Sequence, residues 1–417
     1  MPRTSLDAAA VRDHLVRLSA VDERVAHRYP GASGARQPVH TCYVPADSVD
    51  GGVLRRWSEG ALSVLDEHAA GPRDLAEVLG LDRALAEAVH PRVRAKLAGD
   101  AVEDLRIDFE DGYGHRDDDS EDADAQRVAG VVAGWLSEGA QPANFGLRVK
   151  SFDTPALRER SVRTLDVFLT SLLEQWGSVP DGFVLTFPKV VDVAQVEVFA
   201  GLLESFEQQR GLAPRTLRFE IQIETTQSIV DSQGRWAPPR FLEAGAGRVT
   251  GLHFGTYDYT ASCGLTAGNQ HLAHPACDFA RHVMQVSAAG TGVFLSDGST
   301  NVLPVGDQVH HGWRTHYQLV RRSLEHGFYQ GWDLHPAQLV TRYAAVFTAF
   351  RESAPAEARR LADYVSSSGG EVLDEPATAR GLAASFVRAL DSGAVDAAEV
   401  REMTGLGESA VRDLGKL

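Results

Sequence analysis

The sequence predicts an α/β protein built as a (β/α)8 TIM barrel, with a helical extension before the barrel and a helical appendage after it. Three observations carry this. Eight short strand-like runs alternate, for the most part, with segments of helical spacing, at intervals of roughly thirty to forty residues after a longer first unit. One run, 218–225, alternates strictly: Phe219, Ile221 and Ile223 point one way, and Glu220, Gln222 and Glu224 the other. At 417 residues the chain also has room for a barrel of about 250 residues plus extra helices.

Residues 6–27 have helical spacing and many charges, and the expected N-terminal extension covers 1–37. The barrel is expected over 38–340. Its first strand is Val39–Val44, stopped by Pro45, with helices over 53–70 and 73–98. The second strand, Leu105–Phe109, runs into Glu110-Asp111-Gly112, and the acidic stretch 117–124 reads as a solvated loop and helix start. Phe145–Val149 is strand three, followed by a helix over 154–176. Phe183–Phe187 is strand four, ending at Pro188-Lys189, with a helix over 192–210. The alternating run is strand five. A polar insertion, 232–239, separates it from the helix leading to strand six, Gly251–Gly255. A helix over 273–289 precedes strand seven, Gly292–Leu295. A helix over 308–325 precedes strand eight, Gln330–Leu334, closed by His335-Pro336. The remainder, 341–417, is expected to be a helical appendage with a Ser/Gly break at 366–370.

The formal charge is −16, from 41 Lys+Arg against 57 Asp+Glu, which argues against a general nucleic-acid or anionic-membrane binder. Cys42, Cys263 and Cys277 make no disulfide framework and no Cys-x-x-Cys pair, so a reduced cytoplasm is the expectation. The start lacks an apolar export run, and no apolar segment is long enough to span a bilayer.

The chemistry is expected where the strands end. Helices flanking strand five imply a sheet covered on its outer face, so Glu220, Gln222 and Glu224 look into the barrel. Glu224 stands at that strand's end, and Asp258 follows the end of the next strand in Thr256-Tyr257-Asp258. Two carboxylates on consecutive strand ends, with room for water and substrate, suit Mg²⁺. Taken singly, Glu224 could be a buried acid paired with an arginine, and Asp258 a turn residue. Arg148 lies inside an apolar strand, where a charge is costly unless it faces an anion. It reads either as a clamp for a substrate carboxylate or enolate oxygen, or as the structural partner of Glu110 or Asp111. Glu110, Asp111 and Lys189 join Arg148 as substrate-binding candidates, Lys189 with the alternative of a surface lysine. His271, His274, Cys277 and His282 match no standard zinc spacing. His335 reads as a packed strand-end histidine. Asp374, before Glu375-Pro376, reads on its own as a helix N-cap. Residues 404–412 look superficially like a helix-turn-helix but lack a basic recognition face.

Taken together, these motifs resemble the HpcH/HpaI aldolase and citrate lyase β-subunit-like family of phosphoenolpyruvate/pyruvate-type barrels, over roughly 38–380 in segments. The matching segments are Asp108-Phe109-Glu110-Asp111, Arg148, Phe187-Pro188-Lys189, Ile223-Glu224-Thr225, Gly255-Thr256-Tyr257-Asp258 with Gly264, Leu334-His335-Pro336-Ala337-Gln338, and Val372-Leu373-Asp374-Glu375-Pro376. Where that family often has Gly-Lys before the strand-eight histidine, this chain has Gly331-Trp332-Asp333. The resemblance implies a Mg²⁺-dependent carbon–carbon lyase with Glu224 and Asp258 as metal ligands. It implies a 2-oxo or hydroxy acid, or an acyl-CoA ester, as substrate. It also implies that Asp374 reaches a neighbouring subunit's site as the acid/base, which makes a homo-oligomer, a trimer or hexamer, the expectation. A metal-bound water is the other candidate base. Two further readings stay open at this point: a malate-synthase-like condensation through the same enolate, and a barrel subunit without catalysis.

Overall fold

The computed structural model of the chain describes residues 5–366 and 375–416. Eight parallel strands form the sheet: β1 (His40–Pro45), β2 (Asp104–Asp108), β3 (Asn144–Arg148), β4 (Phe183–Phe187), β5 (Phe219–Ile223), β6 (Val249–Phe254), β7 (Phe294–Ser296) and β8 (Gly331–Asp333). Each strand pairs with its predecessor up to β7, and β8 returns to β1. A parallel bridge between Ser296 and Gln330 brings β7 and β8 together, so the sheet is a nearly closed barrel. The expected strands lie within two residues of these bounds at either end.

Strand alternation fixes what faces where. Phe219, Ile221 and Ile223 are fully buried in the shell between sheet and helices. In that shell the ring of Phe187 stacks on Phe199 at 4.4 Å, and Phe183 stacks on Phe168 at 5.8 Å. Each such ring contributes about 1.5–3 kcal/mol through burial. The opposite faces fill the barrel with polar groups. The Arg106 guanidinium donates to both oxygens of Glu220, at 3.0 and 2.9 Å, and to Thr186 Oγ1 at 2.9 Å, and it also pairs with Asp104. His253 Nε2 lies 2.9 Å from Glu220, and His253 Nδ1 accepts from the Trp332 indole at 3.2 Å. Gly146 lets β3 and β4 lie close together, since a Cβ there would stand 1.6 Å from the Val184 carbonyl oxygen. Burial of the polar groups is affordable because every charge among them is paired.

Helices cover the outside. Before the barrel come α1 (Ala8–Leu15) and α2 (Ser19–Arg28). After β1 come α3 (Val53–His68), α4 (Pro72–Leu79) and α5 (Arg83–Ala98). The single helix expected over 73–98 is therefore two. Gly80 takes a left-handed φ of 72° that ends α4, and Asp82 caps α5 by accepting from Ala84 N at 2.8 Å. The crossovers continue with α6 (Asp118–Glu138), α7 (Pro155–Trp176), α8 (Val193–Arg210) and α9 (Pro238–Ala244). The polar insertion folds into a turn around Asp231, which accepts from Gln233 N and Arg235 N at 2.9 Å each. Then come α10 (Thr256–Ser262), α11 (Pro275–Ala288) and α12 (Val309–Glu325). The next helix, α13 (Pro336–Val365), runs unbroken through 340, where the appendage was expected to begin. It packs on α12, α3 and α5 and so serves as the barrel's eighth outer helix. Among the described residues that follow are the helices α14 (Pro376–Ser392), α15 (Ala397–Thr404) and α16 (Glu408–Lys416). Among the described residues no helix is long and apolar enough to cross a membrane.

The acidic stretch 117–124 is not simply solvated. Asp117 caps α6 as expected, but Glu121 is fully buried. Glu121 accepts from Thr164 Oγ1 at 2.6 Å and pairs with Lys150 at 3.1 Å, while Asp122 binds Arg163 at 2.8 Å. These acids dock α6 on α7, which charge counting along the sequence could not reveal.

Candidate active site

The site is assembled at the C-terminal ends of β2 to β6. β2 ends in Asp108, and the chain then folds back over that carboxylate: Asp108 accepts from the backbone N–H groups of Glu110 and Gly112, both at 2.9 Å. In register beside it, β3 ends in Arg148. Arg148 donates to Asp108 through Nε at 2.7 Å and Nη2 at 2.6 Å, a two-point fork. Its remaining nitrogen, Nη1, faces Glu110 at 3.5 Å. The guanidinium lies over the ring of Tyr43, 4.7 Å from its centre, and Tyr43 in turn packs on Trp332. Against the cost of burial, Asp108 and then Glu110 hold the Arg148 pKa well above its ordinary value. Lys150 fixes the same turn from below, donating to the Phe109 carbonyl at 2.6 Å.

β4 delivers Lys189. Its φ is 50°, a left-handed conformation uncommon for a side chain other than glycine, and such strain concentrates at functional sites. In that conformation the Lys189 backbone N–H donates to Glu224 Oε1 at 2.8 Å, while the ammonium reaches Glu110, Asp111 at 2.7 Å and Asp258 at 3.3 Å. One lysine thus links the ends of β2, β5 and β6.

Glu224 follows β5 and is 2% exposed. Gly255 makes this fit possible: a Cβ there would stand 2.4 Å from Glu224 Oε2. Burial pushes the Glu224 carboxyl up to about 8, with Glu110 and Asp258 adding to the shift and Lys189 opposing it. Burial likewise pushes Glu110 up to about 7, against Arg148 and Lys189. Asp258 sits in the first turn of α10 with its side chain 43% exposed. The Lys189 pKa is raised, because Glu224, Glu110 and Asp111 outweigh its desolvation.

The balance of charge says what the arrangement lacks. Four carboxylates, from Glu110, Asp111, Glu224 and Asp258, surround one ammonium, and Arg148 is already engaged by Asp108. Two acids whose pKa values rise toward neutrality are short of positive charge. The donors are all hard oxygens, which fits Mg²⁺ better than zinc. Among the described residues no group of three or more His, Cys, Asp or Glu is placed to hold a metal by itself. A cation on Glu224 and Asp258 would therefore complete its shell with water and substrate, the usual habit of Mg²⁺.

The structure brings together Glu110, Asp111, Arg148, Lys189, Glu224 and Asp258. Arg148's main partner is Asp108, not the Glu110 or Asp111 expected from sequence. The register carried that signal, since Asp108 and Arg148 both end consecutive strands. Tyr43, Trp332 and Lys150 were missed, since an aromatic or a lysine in a strand is unremarkable until its neighbours are known. Asp374 lies outside the described residues. The N-cap position of α14 is Glu375, which makes no side-chain cap bond. His335 caps α13, its Nδ1 accepting from Ala337 N at 3.2 Å. His274 likewise caps α11.

Part of the chain is similar to the L-malyl-CoA/beta-methylmalyl-CoA lyase of Haloarcula marismortui, with 35% identity over 114 residues. That stretch is 27% of this chain and 30% of the relative, so the chain matches under a third of that relative's length. The whole fold is similar to a citrate lyase from Burkholderia xenovorans LB400, with a TM-score of 0.57 and 18% identity over 89% of this chain and 98% of that one. A malate synthase of Haloferax volcanii, solved with magnesium and glyoxylate, aligns at a TM-score of 0.49 and 16% identity over 91% of this chain and 97% of that one. A family model described as Domain of unknown function (DUF6986) matches residues 18–416, and the chain belongs to that family.

Proposed function

We propose that the chain is a Mg²⁺-dependent carbon–carbon lyase that cleaves a hydroxy acid or hydroxyacyl-CoA ester through an enolate. The observation that carries this is the cation-poor cluster of strand-end acids around Glu224, with Arg148 held rigidly beside it. The partial likeness to a malyl-CoA lyase supports the same reaction class.

Glu224 and Asp258 are the residues that would hold the ion. Bound there, Mg²⁺ supplies positive charge to an oxygen that becomes more negative as the carbon–carbon bond breaks. Arg148 is fixed by Asp108 and Tyr43, and its Nη1 edge, held only by Glu110 at 3.5 Å, can turn to a substrate carboxylate or enolate oxygen with little reorganisation. Lys189 donates within the same cluster and neutralises Glu110 and Asp111 while substrate binds. In the cleavage, a base takes the proton from the substrate hydroxyl, and that carbon becomes a carbonyl. The electron pair of the broken bond goes to the other fragment as an enolate, which is then protonated. Asp374 of an adjacent subunit is the proposed base.

The test is a screen of 3-hydroxy acids and hydroxyacyl-CoA esters for release of pyruvate, glyoxylate or acetyl-CoA, with Mg²⁺ and with chelator. Metal-dependent cleavage of one class is the expected result. Metal-dependent turnover seen only in the condensing direction would replace the lyase reading with a synthase one.

A further inference from the structure

The acids gather at the C-terminal ends of the strands. At the opposite end of the barrel lies a cavity of about 600 Å³, within the size range of small-molecule sites. Its barrel wall is built from the strands' entry points: Val39 before β1, Phe294 and Leu295 at the start of β7, and Tyr329 before β8. Residues 31–35, Gln37, Phe350 and parts of α11, α14 and α16 complete it. None of the residues assigned to the candidate active site lines it.

The lining has a definite chemistry. The Phe350 and Tyr329 rings stack at an interplanar angle of 16°, and the Arg388 guanidinium lies over Tyr329, 4.1 Å from its centre. Leu295 and Val387 add apolar wall. The other charges at the cavity are engaged: Arg412 bonds Asp391 at 2.7 Å, and Lys416 pairs with Asp413 at 3.4 Å. Arg388 differs. Its contact is the Tyr329 ring, and it has no carboxylate partner among the described residues. A stacked guanidinium keeps its N–H edge available, and that edge matches a carboxylate at two points. In a chain of charge −16, an uncommitted arginine on an aromatic wall is a local exception to the surrounding field.

We propose that this cavity is a second ligand site, separate from the active site, for a small aromatic carboxylate. The ring would lie against Tyr329, Phe350 and Val387, and the carboxylate would take the Arg388 fork. The site needs neither metal nor the chemistry proposed for the barrel mouth.

The experiment is calorimetric titration of the full chain with 2-naphthoate and with its neutral isostere 2-naphthamide. We expect one saturable naphthoate site per chain, with the amide about tenfold weaker because the charge-assisted fork is lost. Arg388→Gln should remove the difference between the two probes. Val387→Trp should block both by filling the cavity. Glu224→Gln should change neither. Absence of saturable naphthoate binding, equal affinity for the amide, or full naphthoate affinity in Arg388→Gln would overturn the proposal. So would loss of naphthoate binding in Glu224→Gln, which would place the probe at the barrel mouth. Thermal melting of each variant reports whether the fold is kept.

Discussion

At the scale of the residue, Arg148 and Glu224 make opposite demands on their surroundings. Arg148 is satisfied in place by a fork to Asp108 and a ring beneath it. Arg148→Lys keeps the charge and loses the planar geometry, so we expect kcat/KM to fall by about a hundredfold or more while the melting temperature changes little. Parent-like kcat/KM in that variant would remove Arg148 from the chemistry. Glu224 accepts the Lys189 N–H, yet burial still raises its pKa, and that shift has a sign that can be tested. A carboxyl whose folded pKa lies near 8 binds more protons folded than unfolded between about 4.5 and that value. In metal-free protein this contribution is present below pH 4.5 and is lost as pH rises through about 8. A cation needs the deprotonated group, so the rise in melting temperature on adding Mg²⁺ should be larger at about pH 8.5 than at about pH 6.5. Glu224→Gln and Asp258→Asn should abolish both that rise and the metal dependence of activity. A Mg²⁺-induced shift that survives in Glu224→Gln would show that the ion binds elsewhere. The strand pattern put Glu224 and Arg148 at the ends of β5 and β3, and Asp258 just past the end of β6, where it stands in the first turn of α10. It could not disclose Asp108 as a partner or Lys189 as a hub. The reach of a long side chain depends on φ, and here on a left-handed φ of 50°.

At the scale of the element, the strands were legible and the helix limits less so. Alternation along β5 placed Glu220 and Gln222 inside the barrel, which is where they are. The break between α4 and α5 rests on a left-handed Gly80 and the Asp82 cap, two local signals inside a run whose helical spacing is otherwise continuous. The expected boundary at 340 falls inside α13, which is apolar on several faces, so nothing in its spacing marks where barrel cover gives way to appendage. Four strands are tied across the barrel by one plug, with Arg106 from β2, Thr186 from β4, Glu220 from β5 and His253 from β6. Burial raises the pKa of Glu220, yet Arg106 and His253 more than offset this and hold it below its ordinary value. A depressed carboxyl stabilises the fold above its unfolded pKa and loses that contribution as pH falls through the folded one. The urea midpoint should therefore drop as pH is lowered from about 5 toward 3. Glu220→Gln should flatten that acid limb and, by leaving Arg106 undercompensated, cost about 3–5 kcal/mol at neutral pH. A variant as stable as the parent at pH 7 would mean that the plug is merely space-filling.

At the scale of the whole molecule, the open question is whether one chain makes a complete site. The described residues at the mouth supply acids, Lys189 and Arg148, but each is already paired or placed to hold a cation. No uncommitted base among them stands out for the substrate hydroxyl. The proposed base, Asp374, belongs to the link between α13 and α14, and both of these helices lie at the barrel's outside. The motif resemblance favours a neighbour's barrel mouth over the chain's own as the place where Asp374 acts. If the site is shared, no subunit alone holds both the metal pair and the base, and assembly becomes a requirement for turnover. Mixing decides between the two. Asp374→Ala and Glu224→Gln proteins should each be inactive alone. Co-assembled, some sites pair an intact Glu224 with an intact Asp374 from the adjacent subunit. At equal mixing with random assembly, about a quarter of all sites should recover, measured as kcat per subunit over the whole mixture, with formation of mixed oligomers verified separately. Near-full activity of Asp374→Ala alone would remove it as the base. Two inactive parents whose mixed oligomers stay inactive would place the whole site within a single chain.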